Sequence, residues 1–536
     1  MKKLLLSATV VAGLFAAPTV DSLQQQINNL QKQLKDLKAN QQKQNDRYYK
    51  KVAPVTTNSH LFWSFDLRTS FDFIRKETTG GAVYSFKPNM GQFSAYNINH
   101  YNGSSITTNS DFVMTMPVAG YMNPSDPTTA YPKMVSSNKY IGRILSNRVI
   151  LTGVYKPSDK LKATVKIEAN KVFASSSING MKEPFQNFDW VGNEAPDDDS
   201  IRLKEAFFNY YFGDDLMFSA GRRPSTNGFP ANIREGDDPE SPLGHLINME
   251  FDGFSFEIGN GEFAKITDLF ADWGTSLKFC FGRGFSNTNG KWSFTSNSDY
   301  TADKDKRDAD FGGFLLIPYD DGQYSVKTET VWAFGLMGFM PSGEQGMEDK
   351  DGNWGTVTDQ NIVMGYSMPT LGNYFGENIV VAADGIGDGI SDFLDGTKAY
   401  VSYAFSQTRP KSGKRMLGST DKKSGHSVWV GADMPGIGDN DRFGISYVKG
   451  SKYWRNFTYG EDTLAGSIAA VRGHAYDVYY NTEIIPHLTA GLRYTYLSYD
   501  HPGSDGFFGD MGNPENTMTP YVKTAKDIRA FIRYRF

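Results

Sequence analysis

The sequence predicts an all-β fold: a transmembrane antiparallel β-barrel of roughly 16 strands, preceded by a short N-terminal coiled-coil helix. Three observations predict it. Apolar residues recur at every second position in many segments, short connections alternate with long polar ones, and the chain closes on a strand with one apolar and one charged face. Counting back by twos from the terminus puts Phe536, Tyr534, Ile532, Ala530 and Ile528 on one face and Arg535, Arg533, Phe531, Arg529 and Asp527 on the other. Successive side chains of a strand point to opposite faces. A wall with lipid outside and water inside uses that pattern on every strand, and closure removes the unpaired edge that a soluble sheet would leave.

Composition agrees with a barrel more than with an ordinary soluble chain. Hydrophobic residues make up 39% and mean hydropathy is −0.46, as expected where only every second strand residue meets lipid. The 54 Gly, 29 Tyr and 38 Phe suit tight turns, strands and aromatic girdles. A net charge of −5 argues against a nucleic-acid surface. The single cysteine, Cys280, excludes an internal disulfide, a C-x-x-C-H haem attachment and a multi-cysteine zinc site.

Residues 1–16 read as a secretory signal peptide, with Lys2 and Lys3 before an apolar run that ends at Ala16 and Ala17. Residues 17–47 carry Val20, Leu23, Ile27, Leu30, Leu34 and Leu37, spaced as heptad a and d positions. This predicts a periplasmic coiled-coil helix. Tethering to a barrel would hold its partners at high effective concentration, so a homo-oligomer is one expectation; a single amphipathic helix against the barrel mouth is the other. Residues 48–58, with Pro54, form a linker, and residues 59–536 the barrel.

The first strand runs from Leu61 to Phe71, with Leu61, Trp63, Phe65, Leu67 and Phe71 opposite Ser64, Asp66, Arg68, Ser70 and Asp72, and is expected to close on the last strand. Val149–Tyr155 and Leu161–Asn170 flank a tight turn, and the second alternates Leu161, Ala163, Val165, Ile167 and Ala169 with Lys162, Thr164, Lys166, Glu168 and Asn170. Leu203–Phe212 turns into Leu216–Arg223; further hairpins join Phe311–Pro318 to Val326–Leu336, Val428–Ala432 to Phe443–Tyr447, and Tyr476–Ile484 to Leu488–Tyr496. Long Gly/Asn/Ser/Asp-rich segments lie between these hairpins, so tight turns fall on the side of the termini and long loops opposite. Leu371–Phe393 resists division into strand and turn. No fixed-period repeat supports a propeller or solenoid.

Motifs for chemistry are weak. Gly259–Ala264 matches G-x-G-x-x-A but no second βα unit follows, so a hairpin turn is expected. Ser136–Lys139 fits S-x-x-K without its companion motifs. Asp384–Asp392 and Glu348–Asn353 have oxygen-rich spacing that would suit Ca²⁺ on a loop or a solvated turn, and neither follows the EF-hand pattern. No G-x-S-x-G, P-loop or H-E-x-x-H occurs, and no cofactor is implied.

What remains is a charged inner wall. If the apolar sets face lipid, Asp66, Arg68, Asp72, Lys162, Lys166, Glu168, Glu205, Lys327, Glu329, Arg493, Arg529 and Arg533 face inward, where they set the field of a wet lumen or brace it by pairing. The segment Pro224–Glu240 is the candidate for a loop that folds inward. It carries Arg234, Glu235, Asp237, Asp238 and Glu240 beside Arg222 and Arg223 at the end of its strand, and a charged loop against wall arginines would make a constriction.

Gly221-Arg-Arg-Pro-Ser-Thr-Asn-Gly228, then Pro230-Ala-Asn232, and Arg442-Phe-Gly-Ile-Ser-Tyr-Val-Lys-Gly-Ser-Lys-Tyr-Trp454 resemble motifs of a family of Gram-negative outer-membrane porin-like barrels of unknown function with a leading coiled coil. The terminal Phe536, with Tyr534 and Ile532 before it, also resembles the signal by which the barrel-assembly machinery recognises its clients. These resemblances imply outer-membrane location and bring neither a settled substrate nor catalytic residues. The leading expectation is a non-enzymatic channel for passive diffusion of small hydrophilic solutes or ions. The alternatives are a surface adhesin or structural barrel with an occluded lumen, and a barrel hydrolase assembled from distant residues.

Overall fold

Alternation along each strand becomes a two-faced wall. The computed structural model describes residues 60–83, 133–173, 200–286, 308–338 and 369–536 apart from 388, 439, 459, 460, 462 and 518, with a few short stretches between them. Its strands are β1 (Leu61–Thr78), β2 (Asn138–Ser158), β3 (Leu161–Val172), β4 (Ser200–Tyr211), β5 (Leu216–Arg223), β6 (Phe251–Ile258), β7 (Ser276–Ser286) and β8 (Asp308–Asp320). The second half supplies β9 (Tyr324–Met337), β10 (Thr370–Asp384), β11 (Lys398–Pro410), β12 (Ser424–Pro435), β13 (Arg442–Gly450), β14 (Gly473–Ile485), β15 (Leu488–Tyr499) and β16 (Val522–Arg535). They form a closed 16-stranded antiparallel barrel in which neighbours in sequence are neighbours in the wall. The barrel closes where β16 meets β1, with Asp66 opposite Arg535, Arg68 opposite Arg533 and Asp72 opposite Arg529.

The two faces separate as the alternation predicts. Phe71, Val165, Phe254, Ile379, Val401, Ile445, Ile528 and Ile532 are exposed on the outside. Arg68, Asp72, Glu168, Ser255, Glu329, Ser402, Ser427, Asp477 and Thr495 are buried on the inside. An apolar exterior around a polar interior inverts the rule for a soluble sheet packed on a core, and it is the arrangement that lipid requires.

Turn chemistry explains the short connections. Between β8 and β9, the Asp321 carboxylate accepts from the amides of Gln323 (3.0 Å) and Tyr324 (2.6 Å), and Gly322 takes the positive φ of 87° that the reversal needs. Two connections on the same side are longer than tight turns. The Gly259 region, expected as a hairpin turn, instead holds the short helices Asn260–Ala264 and Asp268–Trp273 before β7. Leu371–Phe393 divides into β10 and a turn that leads to the helix Asp392–Asp395, where the Ser391 hydroxyl caps the Leu394 amide at 3.3 Å. Asp384, a candidate calcium ligand, pairs with Lys398 at 2.7 Å, and no cluster of His, Cys, Asp and Glu suited to a metal occurs among the described residues. The expected signal peptide, coiled coil and linker lie outside the described residues.

Inside the wall, three successive hairpins repeat one device. Tyr400 stands opposite Gly431, Tyr479 opposite Gly444, and Phe531 opposite Gly491. Each ring lies where a Cβ on the facing glycine would be: 2.3 Å from the Tyr400 hydroxyl, 2.0 Å from the Tyr479 ring and 2.2 Å from the Phe531 ring. Phe531, the aromatic residue on the charged face of β16, thus lies flat over its neighbour strand. Rings covering glycines recover packing that the missing side chains forgo.

Candidate functional site

The segment 224–250, between β5 and β6, occupies the lumen, and its position follows from its own bonds. Gly228 approaches Pro242 so closely that a Cβ would sit 1.8 Å from the Pro242 carbonyl oxygen. At the base of the segment the Glu250 carboxyl accepts from the hydroxyls of Ser225 (3.2 Å) and Thr226 (2.9 Å). The short 3₁₀ helix Ala231–Glu235 then ends at Gly236, φ 66°, which turns Glu235 and Asp237 towards the β16–β1 seam.

Strand register creates the site that these acids fill. Arg68 and Arg533 are directly opposite, and like charges so placed repel. Two unit charges 4 Å apart interact by about 4 kcal/mol at an effective dielectric of ~20, more than a typical hydrogen bond returns. Glu235 resolves this by lying between them: Oε1 accepts from Arg68 Nη1 at 2.6 Å and Oε2 from Arg533 Nη1 at 2.9 Å. Arg148, on β2, adds a contact to Oε2 at 3.7 Å. Asp237 accepts from Arg533 Nη2 at 2.9 Å and pairs with Arg535 at 3.0 Å, while Asp66 takes the Nε of Arg533 at 2.9 Å. Arg535 also donates to the Glu235 carbonyl at 2.7 Å. Charge-assisted, multiply bonded contacts of this kind are stronger than neutral ones and fix orientation.

A second anchor holds the far limb of the segment. Lys166 of β3 pairs with Glu240 at 2.7 Å and more closely with Glu205. A bulge between β3 and β4, where Lys166–Ile167 faces Glu205 and Leu203, lets the buried Lys204 and Glu205 accompany each other on successive positions. Lys204 reaches Glu168 at 3.4 Å. Burial, together with the Glu205 charge beside it, raises the Glu240 carboxyl to about 7; burial raises Glu250 to about 8.

The remaining anchors are not ion pairs. Leu243 donates its amide to Glu329 at 3.2 Å. His245, fully buried, sits between the hydroxyls of Ser402 (2.8 Å, Nδ1) and Ser427 (2.9 Å, Nε2), and burial lowers its pKa to about 3, so it is neutral. Ile247–Asn248 forms a two-residue parallel ladder with Phe457–Thr458 of the segment between β13 and β14. Through this ladder the inward segments share an apolar layer: Leu246, Trp454, Phe457, Phe507 and Phe508 pack with Tyr374 of the wall, each at most 1% exposed. Arg472, buried beneath them, donates to three carbonyls, of Trp454, Pro502 and Gly512.

The other candidate residues are placed as follows. Arg493 faces Asp477 at 3.7 Å and Arg529 binds Asp72 at 2.6 Å. Arg234 meets Glu461 at 3.3 Å. Lys162 is half-buried, Lys327 lies 3.6 Å from Asp320, and Asp238 is exposed. Arg222 and Arg223 were expected opposite the loop acids, and the Arg222 charge acts on Glu250 at the base of the segment. Arg222 pairs with Asp252 at 3.5 Å, and Arg223 donates to Ser219 at 2.9 Å and lines a cavity of about 30 Å³ with Pro242, Cys280, Phe311 and Glu329. Tyr534, Ile532 and Phe536 are exposed. Arg148 and Arg535 complete the acid-binding cluster although neither was a candidate; Arg148 was findable, since it pairs with Asn170 on the inward face of β3.

Fold and site together define a closed transmembrane barrel with a charged inner wall and an inward segment pinned to its seam. The chain belongs to the family described as protein of unknown function (DUF3373), whose model matches residues 138–536. No curated protein matches it. Among solved structures it is similar to an anion-selective porin from Comamonas acidovorans (9% identity, 89% of this chain and 99% of that chain, TM-score 0.40). It is also similar to OprB of Pseudomonas putida (10% identity, 88% and 94%, TM-score 0.39) and to a Salmonella typhi OmpF complex with daunomycin (11% identity, 90% and 99%, TM-score 0.39).

Proposed function

We propose that the protein is an outer-membrane channel for passive diffusion of small hydrophilic solutes or ions, its lumen narrowed by the segment 224–250. The observation that carries this is the set of Glu235 and Asp237 against Arg68, Arg148, Arg533 and Arg535 inside a closed barrel. Acids and arginines clustered at one side of the lumen set a local field that favours polar over apolar solutes, while the loop sets the diameter. In this proposal the termini face the periplasm, and residues 17–47 form a coiled coil there that associates barrels laterally. Single-channel recording of the purified protein in a planar bilayer tests the function, with stable conductance steps as the expected result.

The apolar layer of Tyr374, Trp454, Phe457, Phe507 and Phe508 favours a second reading, a barrel sealed across its lumen whose outer loops are the active part. Folded protein that inserts but stays electrically silent supports that reading and removes the first.

A further inference from the structure

We propose that the outer wall of β11–β16 binds phosphate-bearing lipid headgroups in the leaflet on the long-loop side. On these six adjacent strands the outward positions are apolar up to one boundary and then turn basic or polar. The band comprises Arg409 on β11, His426 on β12, Lys449 on β13, His474 on β14, Ser498 on β15 and Lys526 on β16. Register makes it continuous: Lys449 is opposite His474, His474 opposite Ser498, and Lys526 opposite Tyr496.

Rings lie directly beneath the basic groups. Lys526 sits 5.1 Å over Tyr496, Arg409 5.4 Å over Phe375, and His426 stacks on Tyr403 at 6.4 Å. The Tyr447 hydroxyl and His474 Nδ1 are 2.7 Å apart. Amphipathic rings settle at the level of lipid headgroups, and cations above them are placed for the anionic surface. A guanidinium fork such as that of Arg409 matches phosphate oxygens, and the cation–ring contacts hold the basic heads at that height without neutralising them.

Charge balance sets these cations apart from several others on the outer wall, although Arg143 of β2, 6.0 Å over the Phe73 ring, resembles them. Arg283 on β7 is matched by Asp308 (3.1 Å) and Asp310 (2.7 Å), Arg222 by Asp252 (3.5 Å), and Arg75 by Glu77 (3.0 Å). Among the described residues, Arg409, Lys449 and Lys526 have no such carboxylate; Arg409 donates to Gln407 at 3.1 Å. Acids beside the band include Asp500, 3.5 Å from His474, and Glu377 on β10, opposite Phe405. Three cations at the edge of an apolar wall, with Arg409 and Lys526 held over rings, therefore face outward with their charge available.

This surface rests on the membrane reading above, and the test separates the two. The full-length protein in detergent is titrated with bis-phosphorylated lipid A or with phosphatidylcholine, and bound lipid is counted by native mass spectrometry. The wild type is expected to prefer lipid A. R409Q/K449Q/K526Q should lose at least about tenfold in lipid A affinity, because each basic side chain near an anionic headgroup contributes several-fold. A control, R75Q/R283Q, which changes cations already matched by Glu77, Asp308 and Asp310, should bind like the wild type. Equal lipid A binding by the triple variant, checked as folded by its heat-modifiable gel migration, overturns the proposal. A wild type that stays soluble without detergent and retains neither lipid overturns the membrane reading itself.

Discussion

Arg68 and Arg533 face each other across the seam that closes the barrel, and the carboxylate of Glu235 lies between them. Glu235 and Arg533 are 298 positions apart in sequence, so the last strand, the first strand and the inward segment are joined at one point. Closure and filling of the lumen are thereby coupled.

Glu235→Gln should expose that coupling. It removes the carboxylate that Arg68 and Arg533 share, leaving Arg533 with Asp66 and Asp237, and loss of one partner from a buried pair costs roughly 3–5 kcal/mol. The midpoint of urea unfolding in detergent micelles should fall accordingly. In bilayers, E235Q/D237N should shift the reversal potential towards anions, since it removes two negative charges from a lumen that keeps its arginines; an unchanged potential would count against the constriction.

Glu240 and Glu250 predict a loss of stability towards alkaline pH. Their folded pKa values, about 7 and about 8, lie above the ordinary 4.5, so the folded protein holds protons that the unfolded chain has released. Stability falls as pH rises from 4.5 through these values and levels off above 8. Unfolding midpoints recorded from pH 6.5 to 9 should decline in the wild type and flatten in E240Q/E250Q.

His245 acts at the other end of the scale. Its folded pKa of about 3 lies below the ordinary 6.5, so only the unfolded chain takes up a proton as pH drops below 6.5. The wild type therefore loses about 1.4 kcal/mol per pH unit on this account between 6.5 and 3. His245→Ala removes that slope. It also leaves the Ser402 and Ser427 hydroxyls without their shared partner, at a cost of about 1–3 kcal/mol at pH 7. Parallel pH series of the two proteins measure both effects.

Gly491→Ala tests the ring-over-glycine device. A methyl there would meet the Phe531 ring 2.2 Å away, so the ring must leave its seat. The variant should unfold at lower denaturant than the wild type. F531L in the same chain should restore part of the loss, giving a double-mutant coupling of about 0.5–3 kcal/mol; strict additivity would show that the two residues do not interact.

Much of the wall was legible in the sequence because a period of two is a local property. Alternation in β1, β3 and β16 assigned Asp66, Arg68, Lys166, Glu168, Arg529 and Arg533 to the inner face with no knowledge of neighbours. The acidic composition of residues 224–240 between two strands marked the inward segment for the same reason. Arg222 and Arg223 were associated with its acids because they are close in sequence, whereas Glu235 and Asp237 bind arginines of β1 and β16, far away along the chain.

The sequence by itself determined which residues face hydrocarbon and which face the lumen, since pleat geometry sets this one residue at a time. Only the tertiary structure decided who meets whom. That Arg68 opposes Arg533, that Gly491 receives Phe531, that a bulge brings Lys204 beside Glu205, and that His245 settles between Ser402 and Ser427 all depend on register and on chain segments far apart. Such pairings are selected by the sum of many weak contacts across the closed wall, and no local pattern encodes that sum.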